Sequence, residues 1–86
     1  MIFQLTKQFK KRCRQLPRDV QIKIEERLNL FLENPFDPIL NNHPLHGEYL
    51  GCRSINITGD YRAIYFESPK NHAAFLTAGT HSQLFG

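Results

Sequence analysis

The stretch Cys52–Phe66, reading CRSINITGDYRAIYF, constrains this chain more than any other. Ile55 and Ile57 alternate with Ser54, Asn56 and Thr58, and a period of two is the mark of a strand with one apolar and one polar face. Ala63, Ile64, Tyr65 and Phe66 follow as a short apolar run rich in strand formers. Between the two runs, Thr58-Gly59-Asp60 reads as a turn, in which Gly59 can take a positive φ and Asp60 suits turn chemistry. The hairpin also carries an unusual set of polar groups: Arg53, Asn56, Asp60 and Arg62. The rest of the chain is expected to cover this hairpin on one side and to complete a site on the other.

Upstream, Ile2–Leu5 reads as a first strand and Thr6 as the N-cap of a helix over Lys7–Leu16. Phe9, Cys13 and Leu16 then share one face, while Lys7, Lys10, Lys11 and Arg14 project elsewhere. Pro17 suits the first turn of a second helix. Val20, Ile24, Leu28 and Phe31 recur at spacings of four, four and three, which carries that helix from Pro17 to Glu33. Asn34-Pro35 ends it, and Pro38 prevents its resumption.

Asn34–Gly47 reads as a long connection holding His43 and His46, and loops of this length are often functional. Ser68–His72 reads as a turn that accounts for His72, and Ala73–Thr77 as a further strand. The order β-α-α-β-β-β implies one α+β domain over residues 1–86, with two N-terminal helices packed on one face of a small, mainly antiparallel sheet. Val20, Ile24, Leu28, Phe31, Ile55, Ile57 and Ile64 are its expected core.

A chain of 86 residues supports one core. No apolar run approaches a membrane span, and no signal-peptide core is evident, so a cytoplasmic protein is expected. Cys13 and Cys52 lie far apart and form no metal spacing; they read as small buried hydrophobes rather than as a disulfide or a metal site. The formal net charge of +3 is unevenly spread. Lys7, Lys10, Lys11, Arg12, Arg14 and Arg18 crowd the first quarter, with Asp19 the only acid before Glu25. Such a run suits a polyanion such as RNA or an acidic protein partner; it is equally the solvated outer face of a helix.

No P-loop, GxSxG, HExxH or CxxC is present. The chemistry-bearing groups are His43, His46, Asp60, Arg62 and His81. Histidine gives and takes protons near neutral pH, and arginine holds a phosphate bidentately and stabilises charge growing on it. RNA supplies its own nucleophile in the 2′-hydroxyl beside the scissile phosphate. A protein then needs a base for that proton, an acid for the leaving 5′-oxygen and a cation for the transition state, with neither metal nor cofactor. Phe85 or Tyr61 can stack on a splayed base. Each group also has a plainer role: His43 before Pro44 can cap a turn, Arg53 and Arg62 can guard a sheet edge, and Phe85 can plug a core. Spacing alone does not bring them together.

Their order says more than their types. His43-Pro44-Leu45-x-Gly47, then Arg53, then Asp60-Tyr61-Arg62-x-Ile64-Tyr65, then Gly79-Thr80-His81-Ser82-x-Leu84-Phe85 resembles the RelE/ParE superfamily of toxins of toxin–antitoxin systems, and within it the YafQ-like branch of messenger-RNA interferases. The resemblance covers essentially the whole chain. It implies a compact sheet with two N-terminal helices, inhibition by a bound antitoxin protein, and cleavage of mRNA on the ribosome. It also implies a catalytic set of His43, Asp60 and His81, with Arg62 handling the phosphate and Phe85 contacting a base. His81 is then the general acid, and His43 or Asp60 the base. Arg53 would support Arg62, and Lys7, Lys10, Lys11 and Arg14 would hold ribosomal RNA. The chain departs from the pattern at Asn56, which stands where the branch has another histidine. Asparagine positions a group but transfers no proton at neutral pH, and His46 is the spare candidate for that task. Two rival readings share the fold: a ParE-like toxin that binds DNA gyrase and cuts no RNA, and a remnant that binds an antitoxin without catalysis.

Overall fold

The computed structural model describes residues 2–67 and 71–86. In chain order they form β1 (Ile2–Leu5), α1 (Lys7–Arg14), α2 (Arg18–Glu33), β2 (His43–Pro44), β3 (Cys52–Asn56), β4 (Tyr61–Glu67), β5 (His72–Thr80) and α3 (His81–Phe85), with short 3₁₀ turns at Pro38–Leu40 and Gly47–Tyr49. The sheet order is β1-β5-β4-β3-β2, and only the β1–β5 pair is parallel. The fold is α+β. Among the described residues no helix is long and apolar enough to cross a membrane.

Thr6 caps α1 by accepting from the Phe9 N–H at 3.1 Å, and its hydroxyl donates to the Phe75 carbonyl at 2.8 Å. One threonine therefore starts the helix and ties it to β5. The helix ends at Arg14 rather than Leu16. Gln15 N–H already closes a tighter turn onto the Arg12 carbonyl, and Leu16 is buried below it. Pro17 is the N-cap of α2 and not a residue of its first turn: its ψ of 149° is extended.

Val20, Ile24, Leu28 and Phe31 form the buried stripe of α2. Phe31 is wholly buried, with ring centroids 5.0 Å from Tyr65, 5.3 Å from Phe75 and 6.4 Å from Phe3. Edge-on aromatic contacts of this kind add to the gain from burial alone. Ile55, Ile57, Ala63, Tyr65, Ala73, Phe75 and Ala78 complete this core from the sheet.

The hairpin closes as expected, by a different device. Thr58 Oγ1 accepts from the Asp60 and Tyr61 N–H groups at 3.3 and 3.1 Å. Gly59 is not among the residues with positive φ, so the threonine side chain, not glycine's freedom, shapes this turn. Burial on the sheet differs in detail from the simple alternation. Ser54, on the polar side of β3, is wholly buried. Ile64 is a core residue as expected, and its core is a second cluster with Leu45, Cys52 and Leu84 on the opposite face of the sheet. Cys13 is half-buried while Cys52 is buried; both are free thiols.

β5 is longer than expected. It starts at His72, which is therefore a strand residue, and Asn71 takes the positive φ of 67° that turns the chain into it. The rest of the expected turn, residues 68–70, lies outside the described residues. A register shift between Ile64 and Tyr65 leaves Leu76 unpaired against β4. This bulge resets the alternation and lets Ala78 join Ala73 and Phe75 in the helix-side core.

Candidate functional site

The second face of the sheet carries a cleft of about 390 Å³ lined by Asn41, His43, Pro44, Leu45, His46, Ser54, Arg62, His81 and Phe85. Its walls come from three parts of the chain that are separate in sequence: the segment around β2, the β3–β4 hairpin and α3. His43 belongs to β2, a two-residue strand whose register pairs His43 with Ser54 and Pro44 with Arg53. Nothing periodic marks those two residues as a strand; the free edge of β3 recruits them. The expected long connection over Asn34–Gly47 is thus partly structured.

The imidazole of His43 is oriented from below. Its Nδ1 lies 2.7 Å from the Asn41 carbonyl oxygen. A carbonyl only accepts, so Nδ1 carries the hydrogen and the neutral ring keeps its lone pair on Nε2. Asn41 reaches this position in the left-handed region, at φ 45°, which asparagine tolerates better than most side chains.

Asn42, which sequence reasoning missed, locks the approach to His43. Its Oδ1 accepts from Arg53 Nε at 2.7 Å, and its Nδ2 donates to the Pro35 carbonyl at 2.9 Å and the Tyr65 hydroxyl at 2.8 Å. Arg53 is thereby drawn to the helix side of the sheet, with its guanidinium carbon 5.3 Å from the centre of the Phe36 ring. It does not line the cleft, which corrects its expected place beside Arg62.

Arg62 does line it. Nη1 donates to the Thr58 and Tyr61 carbonyls at 3.0 and 3.1 Å, a clamp that holds the guanidinium at the mouth of the hairpin. Asn56 is its cross-strand neighbour. The Asn56 Oδ1 and the Ser54 Oγ are both buried and, among the described residues, have no hydrogen-bond partner. Unpaired buried oxygens are uncommon and costly, and these two share the polar side of β3. Asp60 is exposed in the turn and does not line the cleft; its contribution there is its carbonyl, which accepts from the His81 N–H at 3.1 Å.

His81 opens α3, a helix not expected from the sequence. Thr80 caps it in a full capping box: Thr80 Oγ1 accepts from the Gln83 N–H at 3.1 Å, and Gln83 Oε1 accepts from the Thr80 N–H at 2.9 Å. The sequence signal was present as Thr80-x-x-Gln83. Leu84 is buried and plugs the helix onto the second cluster. His81 and Phe85 are thus left on one side, ring centroids 5.0 Å apart, with Tyr49 packed 5.9 Å from Phe85.

Lys7, Lys10, Lys11 and Arg14 are all exposed on α1, while Arg12 is partly buried. Among the described residues no three His, Cys, Asp or Glu side chains gather closely enough to hold a metal ion.

Residues 1–86 match the family model described as the bacterial toxin of type II toxin–antitoxin systems, YafQ. Among solved structures, the chain is similar to YafQ from Escherichia coli strain BL21(DE3), with 25% identity, a TM-score of 0.80, and 98% of this chain and 97% of that chain covered. It is similar to the toxin in the E. coli DinJ-YafQ toxin–antitoxin complex at 25% identity and TM-score 0.77, over 98% and 96% of the two chains. A chain of the toxin–antitoxin complex RelBE2 from Mycobacterium tuberculosis shares the fold, at 18% identity and TM-score 0.74, over 93% and 96%. Comparison with curated protein sequences gives no match.

Proposed function

The chain belongs to the bacterial YafQ family of type II toxin–antitoxin toxins, and from that premise we propose that it is a ribosome-dependent messenger-RNA endonuclease restrained by a cognate antitoxin protein. The observation that carries this reading is the cleft in which His43, Arg62, His81 and Phe85 meet. The solved complex of a similar toxin with DinJ supports the antitoxin as partner.

In the proposed reaction the 2′-hydroxyl of the RNA attacks the adjacent phosphorus, and the bond from phosphorus to the 5′-oxygen of the next nucleotide breaks. His43 is the base. Its Nδ1–H bond to Asn41 leaves Nε2 able to take the 2′-proton. His81 is the acid that returns a proton to the departing 5′-oxygen. Arg62 uses Nη1 on backbone carbonyls, and its other N–H groups remain for the phosphate oxygens, whose charge grows in the transition state. The Phe85 ring, braced by Tyr49, stacks on a base and holds the sugar–phosphate in line. Asp60 acts through its backbone, by fixing His81, rather than as the base.

Primer extension on a message from expressing cells tests the activity, and His81→Ala tests the role. Cleavage should fall roughly 10²–10⁴-fold, the usual cost of losing a general acid, with ribosome binding retained. Equal loss of both would make His81 a binding residue. If the native protein cuts no message on ribosomes, the antitoxin-binding remnant replaces this reading, with Asn56 as its cause.

A further inference from the structure

Arg12 stands in the basic run of α1, yet its side chain leaves the solvent face that Lys7, Lys10, Lys11 and Arg14 share. Nε donates to the Ala78 carbonyl at 2.9 Å, Nη2 to Gln83 Oε1 at 2.7 Å and Nη1 to Gln15 Oε1 at 3.3 Å. Ala78 lies near the end of β5 and Gln83 in the middle of α3. One guanidinium therefore spans the strand and the helix on either side of the joint that aims His81.

The joint is built to receive it. A carboxamide oxygen has two lone pairs, and those of Gln83 are taken by Arg12 and by the Thr80 N–H. Gly79 sits between them. A Cβ there would stand 3.0 Å from Gln83 Oε1 and 3.3 Å from Arg12 Nη2, so the two planar groups need bare backbone beneath them. A helix of five residues has little stability of its own. It is anchored besides by the Thr80 hydroxyl on the Gln83 N–H, the buried Leu84, the His81 N–H bond to Asp60 and the Tyr49 ring against Phe85.

We infer that Arg12 is a positioning residue: through Gln83 it holds α3, and with it His81 and Phe85, in register with the cleft. The inference rests on the nuclease reading of that cleft, and it separates Arg12 from the neighbouring cations that face solvent.

The test compares Arg12→Ala, Arg12→Lys, Gln83→Ala and the double variant Arg12→Ala/Gln83→Ala. The single-turnover cleavage rate of the ribosome-bound protein and its ribosome affinity are measured separately, and amide hydrogen exchange of α3 is followed in the free protein. In Arg12→Ala the bound complex should cut roughly 10–100-fold more slowly, because small misplacements of reacting groups cost that much. Ribosome affinity and its salt dependence should stay as in the native protein. Exchange at His81, Gln83 and Gly86 should be faster, by about tenfold or more, as local opening becomes easier. An ammonium cannot span both acceptors, so Arg12→Lys should recover only part of the rate. The double variant should be no worse than the more damaged single one, since both remove the same clamp. The inference is overturned if Arg12→Ala weakens ribosome binding and lowers the log–log salt slope by about one while the bound complex cuts at the native rate, as one lost phosphate contact would do. If the native protein cuts no message, the nuclease reading fails on its own. The exchange measurement then still decides the clamp, and unchanged exchange of α3 in Arg12→Ala overturns it.

Discussion

Replacing Asn42 by alanine should cost this protein more stability than its half-buried position on a loop suggests. The side chain makes three hydrogen bonds: one from the Arg53 guanidinium, one to the Pro35 carbonyl and one to the Tyr65 hydroxyl. A neutral bond contributes about 1 kcal/mol and a charge-assisted one about 1.5–3 kcal/mol, the lower end applying to this partly exposed arginine. The sum is about 3.5 kcal/mol. For a chain of this size, each kcal/mol moves the melting midpoint by about 4–8 °C, so a fall of roughly 14–28 °C is expected in calorimetry. Tyr65→Phe removes one acceptor only and should cost about 1 kcal/mol. In a double-mutant cycle followed by urea unfolding, the pair should be coupled by about 1 kcal/mol.

The phenol offers a second readout. Burial pushes the Tyr65 hydroxyl above the ordinary tyrosine range, with the Asn42 hydrogen bond and the Arg53 charge pulling it back. An unfolded tyrosine titrates near 10, so above that pH the unfolded chain gives up a proton that the folded chain keeps. Stability should fall there as pH rises toward the folded value. Asn42→Ala should move the Tyr65 titration further up, as followed by ultraviolet absorbance. A loss below about 1 kcal/mol for Asn42→Ala, or costs that simply add with Tyr65→Phe, would show that the Asn42 bonds do not hold the segment before His43 in place.

Changing Lys7, Lys10 and Lys11 together to glutamate should weaken ribosome association and flatten its salt slope by roughly two to three, while stability moves by about 0.5 kcal/mol or less; unchanged affinity would make this helix face merely solvated. Asn56→His should raise the cleavage rate by up to about tenfold, and His46→Ala should lower it more in the native background than beside Asn56→His, the non-additivity expected of two groups sharing one task. Burial pushes the thiols of Cys13 and Cys52 up, with Arg12 and Arg14 pulling Cys13 back. At pH 8 the folded chain should therefore react with iodoacetamide more slowly than the urea-unfolded chain, by about tenfold or more, and equal rates would place both thiols at the surface.

The elements whose burial is periodic can be read from the residues alone. α2 was legible because Val20, Ile24, Leu28 and Phe31 repeat at helical spacing, and the hairpin because Ile55 and Ile57 alternate. Both signals are local, since each element must bury one face of its own. The order of His43, Asp60, Arg62, His81 and Phe85 was also legible, and with it the family.

Tertiary structure decided how those residues meet. β2 has two residues and exists only because the β3 edge offers it hydrogen bonds; that pairing carries His43 across to Ser54. α3 has five residues, too few for a periodic signal, and is held by a capping box, by Leu84 and by Arg12 from a distant helix. Arg53 and Arg12 were indistinguishable from other surface cations in sequence. One folds onto Asn42 and Phe36 and the other onto Ala78 and Gln83, because acceptors contributed by other segments lie within reach of their forks. A bulge in β5 then sets which side each later residue faces. Which cation is free to meet a ligand, and which is spent holding the scaffold, depends on partners remote in the chain, and no local pattern encodes them.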